Sequence, residues 1–190
     1  CQKYYRHAPT IPNEIISSEK LSSAAVRARR ELVEAMATRA DEENLGFTGW
    51  GPEVAMYRSL LLAKGLHKKN TETGTWYLTL EGTEPELYKV WEALDQMLDK
   101  ADDKGQTVED MLNELRECPF GLRQGPALIY LSLYLLVKSE NLTVFREGAY
   151  HPYLSAADMA LLLKRPELFT VKRFMTNKLQ ERVFAAYRAV

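Results

Sequence analysis

The chain has 190 residues, with 25 Lys+Arg against 26 Asp+Glu, 3 His, 2 Cys and 46% hydrophobic residues. That length and apolar fraction suit one large domain or two small ones and exclude a wholly disordered chain. A formal charge of −1 excludes a uniformly basic nucleic-acid coat, though not a local basic patch, and two cysteines exclude a disulfide scaffold.

Residues 1–20 read as an irregular segment, with Pro9, Pro12 and a Ser17-Ser18 pair. The chain opens at Cys1 with no secretory signal, and the sequence reads as a piece of a larger protein. Ser22 or Ser23 caps a predicted helix to about Arg39, with Ala25, Val26, Leu32, Val33 and Met36 at helical spacing. Asp41 to Gly51 reads as a loop, dense in glycine and acids. Pro52 opens a second helix, 52–64, which Gly65 ends. A short strand from Leu66 to Lys69, a polar turn Asn70 to Gly74 and a returning strand Thr75 to Leu80 follow. Helix, glycine, strand, turn and strand are the ending of a winged-helix module.

The second half repeats this order. Glu84 to Asp103 reads as an acidic amphipathic helix with Leu87, Val90, Trp91, Leu94 and Leu98 on one face. Thr107 to Asp110 resembles a capping box opening a helix to about Glu117, broken by Pro119 to Gly121. Gly125-Pro126 starts another helix to Lys138. Its run Ala127 to Val137, interrupted by Ser132, is half a membrane span, so no membrane partner is expected. Leu142 to Arg146, a Glu147-Gly148 turn and Ala149 to Leu154 make a second hairpin. Ser155 caps a helix through Leu163, Leu168 to Phe174 is a candidate strand, and a final helix begins near Thr176. At an offset of 74, Gly51-Pro52 falls on Gly125-Pro126, Leu61-Leu62 on Leu135-Leu136 and Lys64 on Lys138. A period this long fits two copies of one domain better than a solenoid. The predicted fold is therefore mainly α with small β-hairpins, as tandem winged-helix-like domains over 21–83 and 84–174, with 175–190 a C-terminal helix.

Charge is uneven along the chain. Residues 1–70 carry 11 basic and 8 acidic side chains, residues 84–117 carry 4 and 11, and residues 143–190 carry 8 and 4. An acidic middle between basic flanks could orient the piece on a polyanion or a basic partner. The plainer reading is solvated helix faces.

No catalytic motif is visible. There is no G-x-x-x-x-G-K-S/T loop to cradle phosphates and no G-x-S-x-G elbow. His7, His67 and His151 lack metal spacing, no Cys-x-x-Cys pair exists, and Asp102-Asp103 read as solvated. Cys118, at a helix end before Pro119, reads as a small buried side chain. The expectation is a non-enzymatic, cytoplasmic piece without cofactor or metal. The best binding candidates are Arg58 and Lys64 on the second helix, His67, Lys68 and Lys69 on the strand, and Thr71 and Thr73 on the turn. In a winged helix these positions face double-stranded DNA, where cations neutralise phosphates. The competing reading is a solvated sheet edge kept soluble by its lysines. The corresponding helix of the second repeat argues against groove binding, because it is apolar nearly all round. Arg27, Arg29, Arg30 and Arg39 could flank a phosphate path or simply form a solvated face.

Three stretches carry a resemblance: Pro119 to Pro126 (PFGLRQGP), Phe145 to Tyr150 (FREGAY) and Lys164 to Phe169 (KRPELF). The chain resembles the C-terminal region of large bacterial P-loop ATPases of phage-defence and restriction-type loci, BREX-type systems among them. The likeness is firmest over 119–174 and loose over 21–118. Pro119, Phe120, Gly121, Gly125, Gly148, Pro166 and Phe169 match as turn and packing positions. The resemblance implies a non-catalytic module appended to an ATPase core, binding DNA or positioning a partner, with the parent's other domains as neighbours. The alternative is a structural scaffold for protein–protein contact without nucleic acid.

Overall fold

The computed structural model describes residues 4–101 and 104–174. The helix expected from Thr176, and Asp102-Asp103, lie outside the described residues. Helix predominates, with two small antiparallel sheets, as the mainly α reading expects.

Within the segment expected to be irregular, a single helical turn α1 (Glu14–Ser17) forms because the Asn13 side chain accepts from the Ile16 amide. Helix α2 (Ser23–Thr38) is capped by the Ser22 hydroxyl, which accepts from the Ala25 amide at 3.2 Å. It buries Ala25, Ala28, Leu32, Val33 and Met36, whereas Val26 lies outside the apolar stripe and is exposed. In the Asp41–Gly51 loop a 3-10 turn spans Glu43–Gly46, with Asn44 and Leu45 in the left-handed region. Helix α3 (Pro52–Tyr57) is shorter than the predicted 52–64, because the chain passes at Arg58–Leu62 into one turn of π-helix.

Strands β1 (His67–Lys69) and β2 (Trp76–Leu78) form the first hairpin, in the register Lys68 opposite Tyr77. Helix α4 (Pro85–Lys100) buries Leu87, Val90, Trp91, Leu94 and Leu98 as its periodicity predicts. The Trp91 indole N–H donates to the Leu80 carbonyl at 3.0 Å, strapping the hairpin's return to this helix. Strand β3 (Gln106–Thr107) precedes α5 (Val108–Arg116), whose first turn is held by the Thr107 hydroxyl. Helix α6 (Gln124–Val137) begins against α1, where a Cβ on Gly125 would stand 2.5 Å from the Ile16 carbonyl oxygen.

Strands β4 (Leu142–Arg146) and β5 (Ala149–His151) follow, joined through Glu147 and Gly148, both with positive φ as such a tight turn requires. Helix α7 (Ala156–Leu162) carries a reciprocal cap between Ser155 and Asp158. Strand β6 (Phe169–Arg173) completes the chain's second sheet, whose order is β3-β6-β4-β5. The expected second hairpin is thus half of a four-stranded sheet. β3 supplies only two residues, too few for any alternation to show in sequence.

Helix α2 packs on α3, α6 and α7, and the buried apolar residues on both sides of residue 83 form one contiguous cluster. Helix α6 lies at its centre, with 11 of its 14 residues buried. No helix among the described residues is long and apolar enough to cross a membrane.

Candidate nucleic-acid interface

The sequence places seven candidate residues on the helix–hairpin unit 58–73. The π-turn decides where they point. Ala63 donates to the Arg58 carbonyl and Leu66 to that of Leu61, each five residues back. Gly65, at φ 66°, then reverses the chain into β1. This extra residue per turn rotates Lys64 inward, under the start of α4.

Lys64 is buried. Its ammonium donates to the Thr10 carbonyl at 2.6 Å and pairs with Glu84, whose other oxygen accepts from the Thr10 amide at 2.6 Å. Three distant stretches of chain meet in this clip, where Lys64 is buried, Glu84 half-buried and Thr10 exposed. Lys64 is therefore corrected from a phosphate ligand to an internal tie. The position that the offset of 74 makes equivalent, Lys138, also reaches α4, where its ammonium lies 3.4 Å from Asp95.

His67 is corrected in the same way, being 1% exposed. Strand alternation turns it toward the core, where its ring packs against Trp76 at a centroid distance of 5.0 Å. Its Nε2 lies 3.0 Å from the Ala40 carbonyl, which can only accept, so Nε2 carries the proton. Nδ1 then accepts from the Tyr57 hydroxyl at 2.8 Å. Burial pushes the imidazole pKa below its ordinary value, against the opposing pull of the Ala40 carbonyl. Burial likewise pushes the Tyr57 phenol up to about 12, with Glu43 adding to the rise and Arg58 opposing it.

The other five candidates lie nearer the surface. Lys68 donates to the Glu81 carbonyl, and Lys69 is exposed on the opposite face of β1. Asn70 organises the turn by accepting from the Glu72 and Thr73 amides. Thr73 and Thr75 share a hydroxyl hydrogen bond at 2.7 Å, and Thr71 is exposed. The Arg58 guanidinium lies over the Trp50 ring, 4.6 Å from its centroid, and Trp50 is 87% exposed. Trp50 sits in a Gly-flanked loop where sequence gave no reason to single it out. The accessible cations on this unit are thus Arg58, Lys68 and Lys69.

On α2, Arg27 and Arg30 pair with Glu31 and Glu34 one turn on, Arg39 covers the Phe47 ring, and Arg29 is buried. They form no row of free cations. Burial lowers the Arg29 pKa from its usual value. Cys118 is exposed, not buried, and its thiol donates to the Tyr4 carbonyl from the turn that ends α5.

Two polar clusters have long-range members that sequence reasoning missed. Arg173 on β6 reaches Asp95 at 3.0 Å and Asp99 at 2.8 Å, and Asp95 also accepts from Tyr134 at 2.8 Å. Asp158 accepts from Arg146 at 2.7 Å and from both the amide and hydroxyl of Ser155, with His151 at 3.8 Å. Burial pushes the Asp158 carboxyl up, but the Ser155 bonds and the His151 and Arg146 charges together hold it below the usual range. Apart from the local Ser155–Asp158 cap, both clusters join residues from separate elements, so no local spacing signals them. Among the described residues, no group of three His, Cys, Asp or Glu side chains is placed to hold a metal. No family model, curated protein or solved structure matches the chain.

Proposed function

We propose that this chain is a non-catalytic partner-positioning module, winged-helix-like in both halves, of a larger bacterial ATPase of the phage-defence type. It acts through protein contacts. The reading of the second half as winged-helix-like is supported by the order α4, β3, α5, α6, β4 and β6, in which a helix and short strand precede two helices and a sheet. One observation carries the choice of protein over DNA. Helix α6, in the place where such a module would offer a groove-reading helix, is buried from Gly125 to Leu135. The internal use of Lys64 and His67 supports the same choice.

DNA contact is the second reading, favoured by the exposed Arg58–Trp50 pair and by the exposed Lys69 on β1. Duplex binding at two salt concentrations separates the two. The partner-positioning reading expects at most weak binding. Three accessible cations release few counterions, so the log–log salt slope should not exceed about 3. A steeper slope, with affinity lost in Arg58→Ala/Lys69→Ala while folding is unchanged, would overturn it in favour of DNA.

A further inference from the structure

A cleft of about 340 Å³ opens where the end of α6 meets β4 and the segment between β5 and α7. Three parts of the chain bound it, so it is a pocket of limited volume and not a groove along one element. That volume lies at the small end of the range of about 300–1,000 Å³ usual for small-molecule sites. Leu135 and Val144 line it as buried residues, while Leu136, Leu142 and Leu154 are half-buried and leave apolar surface at the opening.

The charge on its lining is negative. Glu140 stands exposed on the 3-10 turn Ser139–Asn141 and has no ion-pair partner among the described residues. The cations on the neighbouring elements are committed elsewhere: Lys138 and Arg173 to Asp95, and Arg146 to Asp158. His151, on another wall, has its Nδ1 3.8 Å from Asp158. The last turn of α6 brings the negative end of its peptide dipoles to the same place. Tyr153, 73% exposed, adds an aromatic ring to the lining, a surface that attracts cations. Apolar walls with an unneutralised carboxylate and a ring beside them suit an organic cation with a hydrocarbon body, and they disfavour an anion.

We propose that this cleft binds a small alkyl- or arylalkylammonium ion. Its hydrocarbon lies against Leu136, Leu142 and Leu154, and its ammonium meets Glu140. Binding involves no covalent step. The site is separate from the surface at issue between protein and DNA, since none of Trp50, Arg58 and Lys69 lines the cleft.

Titration of the full chain with n-octylammonium, n-octanol and n-octanoate, followed by methyl-resolved NMR at constant pH and ionic strength, tests this. The amine should give saturable shifts at the methyl groups of Leu136, Leu142, Val144 and Leu154. n-Octanoate should bind at least about fivefold more weakly, with n-octanol between them. Glu140→Gln should bring amine and alcohol to within about twofold of each other, and Glu140→Lys should make n-octanoate the tighter ligand. If Glu140→Lys disturbs β4 or α6, the Glu140→Gln result decides. Shifts that do not saturate, or that spread away from the cleft, would overturn the proposal. So would n-octanol or n-octanoate binding the unaltered chain as tightly as the amine, or a preference for the amine that survives both substitutions.

Discussion

Lys64→Met tests the internal tie most directly. The substitution keeps most of the aliphatic stem and removes the ammonium that the Thr10 carbonyl and Glu84 share. The side chains of Lys64 and Glu84 are 8% and 14% exposed, so Glu84 would be left as a nearly buried carboxylate with only the Thr10 amide as partner. Breaking one side of such a pair costs about 3–5 kcal/mol, because the remaining charge stays desolvated. For a chain of this size that corresponds to a fall in melting temperature of about 6–20 °C. Urea unfolding followed by circular dichroism gives the same quantity from the midpoint and slope. Adding Glu84→Gln to Lys64→Met removes the stranded charge and should restore most of the loss. A single variant within about 0.5 kcal/mol of the unaltered chain, or a double variant no more stable than the single, would refute the reasoning.

Further outcomes follow from other groups. His67 titrates below its ordinary 6.5 in the folded chain, so the unfolded chain binds the extra proton first as pH falls. Stability should therefore decline as pH drops through about 6.5, and urea midpoints at about pH 8 and pH 5 should differ less in His67→Gln. Tyr57→Phe leaves Nδ1 of His67 without its donor and should cost about 1–3 kcal/mol by the same assay. Burial raises the phenol pKa values of Tyr57, Tyr130 and Tyr134, so ultraviolet titration should find these three un-ionised at about pH 11 until the chain is unfolded. Leu131, wholly buried on α6, should cost about 2–5 kcal/mol as Leu131→Ala, and Leu131→Asp should prevent folding.

Patterns read within one turn or one hairpin were legible in the sequence. The caps at Ser22, Thr107 and Ser155, the apolar stripe of α4 and the continuous burial of α6 follow from spacing alone. Sequence reasoning failed where a long-range partner decides the outcome. Lys64 and His67 look like cations on a helix and an edge strand. Which way they face depends on one π-turn and on Glu84, Tyr57 and Ala40. The same applies to Arg173 with Asp95, 78 residues apart, and to β3, whose two residues become a strand only because β6 lies beside them. Trp50 was passed over because an isolated exposed aromatic in a glycine-flanked loop has no periodic signal.

The order β3-β6-β4-β5 has a consequence for how the protein is made. β6 is the last strand of the described chain, yet it sits inside the sheet and bonds both β3 and β4. Roughly 60 residues separate β3 from it, about 3–12 s of synthesis at ordinary ribosomal rates. For that interval β3 has no neighbour, and β4, once made, keeps one edge bare until β6 arrives. Unpaired edges beside exposed apolar surface invite pairing between chains. Products that stop short of Phe169 should therefore aggregate or be degraded rather than persist as a shortened but sound domain. A nonsense change anywhere between 107 and 168 would then act as a loss of the whole second sheet.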